Sequence, residues 1–189
     1  MDASALLVMD VQRGVVERFA GDPDYLTRLS CAIEVARAAS IPVIYVRVGF
    51  RRGHPEISAR NRTFAAAAAD GLYAEGDPAI EIHPSVAPRP EDPVVTKRRV
   101  SAFSGSDLEV LLRGLGVGTL VLTGIATSGV VLSTLRQAAD LDYRVVVLSD
   151  ACEDRDPEVH RVLTEKVFPR QADVLTVAEW QPASSGSPA

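Results

Sequence analysis

Short apolar runs alternate along the chain with segments in which apolar residues recur at helical spacing. The runs predict buried strands at 5–9, 41–48, 94–96, 119–123, 143–148 and 172–176. The periodic segments predict helices over 24–40, 104–115, about 128–141 and 156–168. Because strands alternate with helices, we expect a three-layer α/β domain with a parallel sheet and helices on both faces.

The stretch 118–139 joins the clearest buried strand to a long apolar helix through a short turn. Gly124 and Gly129 supply turn residues, and Ser128 or Thr127 is expected to cap the helix. The backbone N–H groups at the start of such a helix point beyond the carboxyl end of the strand. Open α/β sheets bind their ligands at that edge, so the pattern predicts a site there.

Two charged residues are placed to reach the same edge. Asp10 directly follows the first strand, and Lys97 follows the strand at 94–96. A turn or capping role for Asp10 and a solvated surface position for Lys97 are the alternative interpretations. Lys97 lies between a β-branched strand and the apolar Ser-Ala-Phe turn, which favours burial near Asp10.

Composition narrows the class of protein. The chain has 189 residues, of which 47% are apolar and 24% charged, and this length and composition predict one domain at 1–181. The residues at 182–189, Pro-Ala-Ser-Ser-Gly-Ser-Pro-Ala, predict a disordered tail. The net charge is −5 with scattered basic residues, so nucleic-acid binding is not expected. No apolar run approaches the roughly 20 residues that span a bilayer, and we expect a cytoplasmic protein without a membrane partner.

Metal and disulfide chemistry find little support in the sequence. Cys31 and Cys152 form neither a disulfide framework nor a CxxC motif. His54 and His83 are isolated and fall short of the ligand count that zinc needs, so we predict no metal and no cofactor.

The region 49–93 is long, weakly periodic and rich in Arg, Pro, Gly and Ala. Connections of this length in a compact domain tend to be lids or binding loops, and the run at 65–69 predicts a short helix within it. Its apolar Ala-rich part favours self-association as a homodimer or higher homo-oligomer.

Three motifs carry a resemblance to a known family. They are Leu-Leu-Val-Met-Asp-Val-Gln at 6–12, Val-Val-Thr-Lys-Arg-Arg-Val-Ser-Ala-Phe at 94–103 and Gly-Ile-Ala-Thr-Ser-Gly-Val at 124–130. In combination they resemble the isochorismatase-like, or cysteine hydrolase, superfamily over nearly the whole chain. The resemblance implies a doubly wound, Rossmann-like, six-stranded parallel sheet in the order 3-2-1-4-5-6.

The resemblance also implies a set of site residues. Asp10, Lys97 and the seventh residue of the turn, Val130, fall on the catalytic positions, and Val130 stands where the family has its nucleophilic cysteine. The implied residues around a small-molecule substrate are Gln12, Arg99, Phe103, Ile125, Ala126 and Thr127. A cis peptide bond between Ile125 and Ala126 is implied as well.

The missing cysteine changes the expected chemistry. In cysteine-bearing relatives the Asp takes the thiol proton, the Lys favours its ionised form, and two backbone N–H groups bind the oxyanion. Valine offers neither a lone pair nor an acidic proton. We therefore expect a hydrolase without a covalent cysteine, which acts on a small, anionic molecule through Asp10 as general acid or base.

Isochorismatases proper give a precedent, because they hydrolyse a vinyl ether with the Asp as general acid. Arg99 and its neighbours are similar to that branch, whereas Ala126 and Val130 replace its Tyr and Gly. Two alternatives remain open. One is a catalytically inactive binding or structural homologue, and the other is an amidase with a displaced nucleophile such as Cys152.

Overall fold

The computed structural model of the protein describes residues 3–181, and the predicted tail at 182–189 lies outside this range. All six predicted strands are present and form one sheet. Their bounds are β1 Ala3–Met9, β2 Val43–Val48, β3 Val94–Lys97, β4 Val117–Ile125, β5 Arg144–Glu153 and β6 Asp173–Leu175.

The strand order is β3-β2-β1-β4-β5-β6, and every neighbouring pair is parallel. This confirms the doubly wound α/β fold and the order that the resemblance implied. At the carboxyl end of the sheet, Met9 pairs with Val46 on one side and with Gly124 on the other. The chain therefore leaves β1 between the ends of β2 and β4, at the point where the strand order reverses.

The helices cover both faces of the sheet. The α-helices are α1 Arg13–Phe19, α2 Tyr25–Ala38, α3 Arg62–Ala69, α4 Leu108–Gly114, α5 Leu132–Asp140 and α6 Pro157–Val162. One buried cluster packs α4 and α5 against residues of β1 and β4 such as Leu7 and Leu122, while another packs α1 and α2 against Leu6 and Val121. Apolar side chains thus project from both faces of the central strands, so these strands appear in the sequence as continuous apolar runs.

Some predicted bounds are wrong. The helix predicted over 156–168 is divided into α6, a π turn at Leu163–Val167 and a 3₁₀ turn at Phe168–Arg170. The helical turns continue through Pro169 to Arg170, and Phe168 keeps a right-handed helical backbone, so the departure from the prediction lies in the hydrogen-bond register and not in an early end. Helix α1 was not predicted at all, since its seven residues bury only two side chains, Val15 and Val16.

The fifth strand extends further than predicted. It was expected to end at 148, but β5 continues to Glu153 after a register shift between Leu122 and Gly124 of β4. Cys152 therefore lies within the strand, paired with Gly124, rather than in a loop behind it. Within residues 3–181, no helix is long and apolar enough to cross a membrane.

Candidate active site

Asp10 occupies the first position after β1. Its N–H donates to the carbonyl of Val46 at 2.8 Å, so the backbone is still held by the neighbouring strand. Its φ of 55° is left-handed, a conformation that Asp tolerates better than most residues. The chain turns sharply here, and the buried carboxyl group stays at the carboxyl edge of the sheet.

Lys97, the last residue of β3, reaches this carboxyl group from two strands away. Neighbouring strands lie about 4.8 Å apart, and only a long side chain spans β2 to reach the end of β1. The Lys97 Nζ lies 2.9 Å from Asp10 Oδ2 and also donates to the carbonyl of Arg99 at 2.9 Å. With 1% of its surface exposed, Lys97 is a buried partner of Asp10 and not the solvated charge of the alternative interpretation.

Two opposing effects act on the Asp10 carboxyl. Burial raises its pKa, because a low-dielectric site disfavours the charged form, and the charge and hydrogen bond of Lys97 lower it by a smaller amount. The net pKa lies above the ordinary value for Asp. The second oxygen, Oδ1, is buried and has no hydrogen-bond partner within the described chain.

Gln12 fixes the strand ends around this carboxyl. Its side-chain amide donates to the carbonyl of Val48 at 2.9 Å and accepts from the Val48 N–H at 2.8 Å. The amide thereby continues the ladder between β1 and β2 by one step, and the side chain is completely buried. Gln12 was predicted to bind substrate, and the structure places it as a support of the strand ends beside Asp10.

The turn after β4 has a π-helical register. The Ile125–Ala126 peptide is cis, as the resemblance implied. The N–H groups of Gly129 and Val131 both donate to the carbonyl of Ala126, at 3.0 and 3.3 Å. This turn, Thr127–Val131, inserts an extra residue before α5 begins.

The predicted side-chain cap of this helix is wrong. Neither Ser128 nor Thr127 caps the turn. Ala126 occupies the capping position before Thr127, and no side chain there accepts a hydrogen bond from the turn. Instead, Thr127 Oγ1 is hydrogen-bonded to Nδ1 of His160 at 2.8 Å, and the Ser128 N–H donates to Asp154 Oδ2 at 2.7 Å. Asp154 and His160, which follow β5 in the chain, therefore hold the turn, and no sequence motif pointed to either residue.

Val130 and Phe103 form part of the apolar wall. Val130 is 2% exposed and belongs to the buried cluster that also contains Met9 and Phe103. Phe103 lies against Tyr143 with ring centroids 6.0 Å apart. An apolar side chain thus occupies the turn position that the resemblance assigns to the nucleophile.

Arg99 is bound to backbone groups in this structure. Its guanidinium donates to the carbonyl of Arg98 at 2.6 Å and to that of Glu56 at 3.0 Å. The bond to Glu56 ties the segment after β3 to the region 49–93. The predicted contact of Arg99 with a substrate remains a prediction.

Cys152 has the properties of a packing residue. It is 4% exposed, its thiol faces the carbonyl of Leu122 at 3.8 Å, and burial raises its pKa to about 12. A thiol of this kind is almost entirely protonated at neutral pH and is a poor nucleophile. Across residues 3–181, no group of three or more His, Cys, Asp or Glu side chains is arranged to hold a metal ion.

Fold and site together define a doubly wound α/β protein with a buried Asp–Lys pair at the point where the strand order reverses. Comparison with known proteins gives the family. The Isochorismatase domain matches residues 4–179, and the chain belongs to the isochorismatase family.

Relatives and solved structures agree with this assignment. An uncharacterized isochorismatase family protein of Escherichia coli O157:H7 is 33% identical over 93% of both chains. The ureidoacrylate amidohydrolase RutB of Stutzerimonas stutzeri is 31% identical over 82% of this chain and 71% of its own. The crystal structure of a cysteine hydrolase from Pseudomonas syringae pv. phaseolicola 1448A superposes with a TM-score of 0.85 at 28% identity, covering 93% of this chain and 89% of that one. The protein is a hydrolase of the isochorismatase type, as the resemblance implied.

Proposed function

We propose that the protein hydrolyses a small, anionic molecule without a covalent enzyme intermediate, with Asp10 as the group that exchanges a proton with the substrate. The observation that carries this proposal is the state of the Asp10 carboxyl. Oδ2 is held by Lys97 at 2.9 Å, while Oδ1 is buried and unpartnered within the described residues. One oxygen is paired, and the other has an unused hydrogen-bonding position for a proton.

Vinyl-ether hydrolysis fits such an acid. Protonated Asp10 would give its proton to the vinyl carbon, and the ether oxygen would share the positive charge that develops. Water then adds to the oxocarbenium carbon, and the hemiketal collapses to a carbonyl compound and an alcohol. Lys97 stabilises the carboxylate that forms, and the raised pKa of Asp10 keeps the acid form available at higher pH than usual.

Amide hydrolysis is the second candidate, because RutB is named as an amidohydrolase. Without a cysteine at position 130, ionised Asp10 would take a proton from a water molecule as the water attacks the carbonyl carbon. The buried, protonated Cys152 gives little support to a displaced thiol nucleophile. Ser128 is exposed in the π turn and is not the seventh residue of the motif.

The inactive alternative is less well supported. A buried ion pair contributes little net stability, because desolvation of the two charges offsets their attraction. A buried oxygen without a partner is a further cost. A purely structural role therefore gives no reason for the Asp10–Lys97 arrangement, whereas proton transfer does.

A substrate panel tests the proposal. Vinyl ethers, ureido compounds including ureidoacrylate, other amides and lactones would be incubated with the purified protein, and products would be followed by mass spectrometry. We expect turnover in at least one class. A panel that gives no product, with ligands that nevertheless bind the folded protein, would favour the inactive alternative.

Replacement of Lys97 should move the pH dependence of catalysis upward. Lys97 lowers the pKa of Asp10, so Lys97→Met removes that effect and raises the pKa further above its ordinary value. The titration of Asp10 in the profile of kcat/KM against pH should then move to higher pH, whether Asp10 acts as acid or base. The matched control is Lys166→Met, which changes the exposed lysine after α6. A downward displacement in Lys97→Met, or the same displacement in both variants, would count against the assigned role.

A further inference from the structure

The π turn before α5 is held by two side chains that follow β5 in the chain. Thr127 is completely buried, and its Oγ1 lies 2.8 Å from Nδ1 of His160. The N–H of the next residue, Ser128, donates to Oδ2 of Asp154 at 2.7 Å. Asp154 and His160 thus form a clamp that binds two consecutive residues of the turn.

The two members of the clamp are joined by local hydrogen bonds. Asp154 Oδ1 accepts from the Asp156 N–H at 3.3 Å, and Asp156 Oδ1 accepts from the Glu158 N–H at 2.9 Å as the cap of α6. His160 is the fourth residue of that helix. The cap therefore fixes the direction in which α6 leaves Asp154, and with it the place of the imidazole relative to the carboxylate.

The turn that the clamp holds leaves the sheet beside Asp10. Met9, the residue before Asp10, is paired with Gly124, and β4 ends one residue later at Ile125. The side chain of Val130, within the turn, belongs to the same buried cluster as Met9. A displacement of the turn would therefore change the space at this edge in which a substrate meets Asp10.

The bond between Thr127 and His160 sets the protonation of the imidazole. The hydroxyl proton of a completely buried Thr127 needs an acceptor, and Nδ1 accepts only when it carries no proton itself. We therefore expect a neutral ring with its proton on Nε2. Burial lowers the pKa of His160, and the charges of Asp154 and Glu153 raise it by a smaller amount, which agrees with a neutral ring.

We propose that His160 and Asp154 are positioning residues for the reaction at Asp10, which hold the π turn where a bound substrate meets the Asp10 carboxyl in reactive geometry. They act through Thr127 and Ser128 and touch no reacting atom. A misplacement of about 1 Å can lower a rate by about 10²-fold, so a bond outside the reacting centre can affect kcat. This inference rests on the proposed function, since it gives the clamp a part in the same proton transfer.

Kinetics of variants on a substrate from the panel test the clamp. His160→Ala should lower kcat about tenfold or more and change KM much less. His160→Asn should restore most of the loss, because its side-chain oxygen can accept from Thr127 in place of Nδ1. Thr127→Val removes the same bond, so it should lower kcat by a similar factor, and the double variant with His160→Ala should lose no more than either alone.

The matched control is Thr123→Val, which also removes a buried hydroxyl, one that donates to the carbonyl of Leu7 at 2.8 Å inside the sheet. This variant should keep the wild-type kcat, and urea titration would show whether each variant is folded. Unchanged kcat in His160→Ala and Thr127→Val, or losses that add in the double variant, would overturn the clamp while the role of Asp10 stands.

NMR of the folded protein tests the clamp without turnover. The wild type at neutral pH should show His160 with a proton on Nε2 and none on Nδ1. The amide signals of Gly129 and Val130 should move in His160→Ala and return toward the wild type in His160→Asn. A protonated Nδ1, or amide signals that do not move, would overturn the clamp. A wild type that hydrolyses nothing in the panel would refute the proposed function instead, and the same spectra would still decide whether His160 holds the turn.

Discussion

Asp10→Asn is expected to lower kcat by about 10²- to 10⁴-fold on any substrate that the wild-type protein hydrolyses. The amide has neither the acidic proton of the protonated carboxyl nor the basic oxygen of the carboxylate, so it can neither give nor take the proton. Lys97 keeps its hydrogen bond to the carbonyl of Arg99, which leaves the site assembled. KM should therefore change much less than kcat, because the substrate still binds.

A matched control for this substitution exists in the same chain. Asp142 is also an Asp with left-handed backbone, at φ 63°, but it is exposed and lies before β5, at the opposite edge of the sheet. Asp142→Asn should keep the wild-type kcat and KM. Circular dichroism of both variants would show that the backbone tolerates Asn. An Asp10→Asn protein that is folded and nearly as active as the wild type would refute the assignment.

Gly124→Ala is expected to destabilise the protein by about 3 kcal/mol or more, since both backbone strain and overpacking contribute. Gly124 has a φ of +134°, a conformation that residues with a side chain rarely adopt. A Cβ atom there would stand 2.0 Å from the carbonyl oxygen of Met9. The overlap falls between β1 and β4, directly before Asp10 and the π turn, so the substitution should also disturb the site.

The measurement is the free energy of unfolding from urea titration. Gly114→Ala, at the end of α4, is the control, because its φ is not left-handed and nothing lies within 4 Å of the added Cβ. That variant should stay within about 1 kcal/mol of the wild type or gain slightly, as Ala favours helices. Equal losses in the two variants would contradict the close approach of β4 to Met9.

The fold could be predicted because its signal is local. Strands buried on both faces read as continuous apolar runs, and Val43–Val48 and β4 appear within a few residues of their predicted places. The order of the strands does not follow from periodicity. It came from the resemblance, and the parallel pairings confirm it.

The Asp10–Lys97 pair could also be predicted, because each residue ends or follows a strand that reaches the same edge. The residues that hold the turn of the site in place could not be predicted. His160 is placed by its hydrogen bond to Thr127, and Asp154 by the one that it accepts from Ser128, so both depend on contacts between distant parts of the chain. The weak periodicity of 49–93 reflects the same cause, since tertiary bonds and not a regular apolar face hold that region.

The predicted side-chain cap of the central turn is wrong for a related reason. Serine and threonine before a helix usually cap it through their own side chains. Here the π register leaves no such bond, and Thr127 turns to His160 while Asp154 accepts from the backbone of Ser128. A sequence pattern that describes ordinary helix starts does not anticipate an inserted residue.

The central claim is that Asp10 and not a thiol carries the reaction. It is tested most directly by measuring kcat/KM for Asp10→Asn and Cys152→Ala beside the wild type on the same substrate. The account predicts that Cys152→Ala stays within about twofold of the wild type, while Asp10→Asn loses about 10²-fold or more. An inactive Cys152→Ala together with an active Asp10→Asn would contradict it and assign the chemistry to the buried thiol.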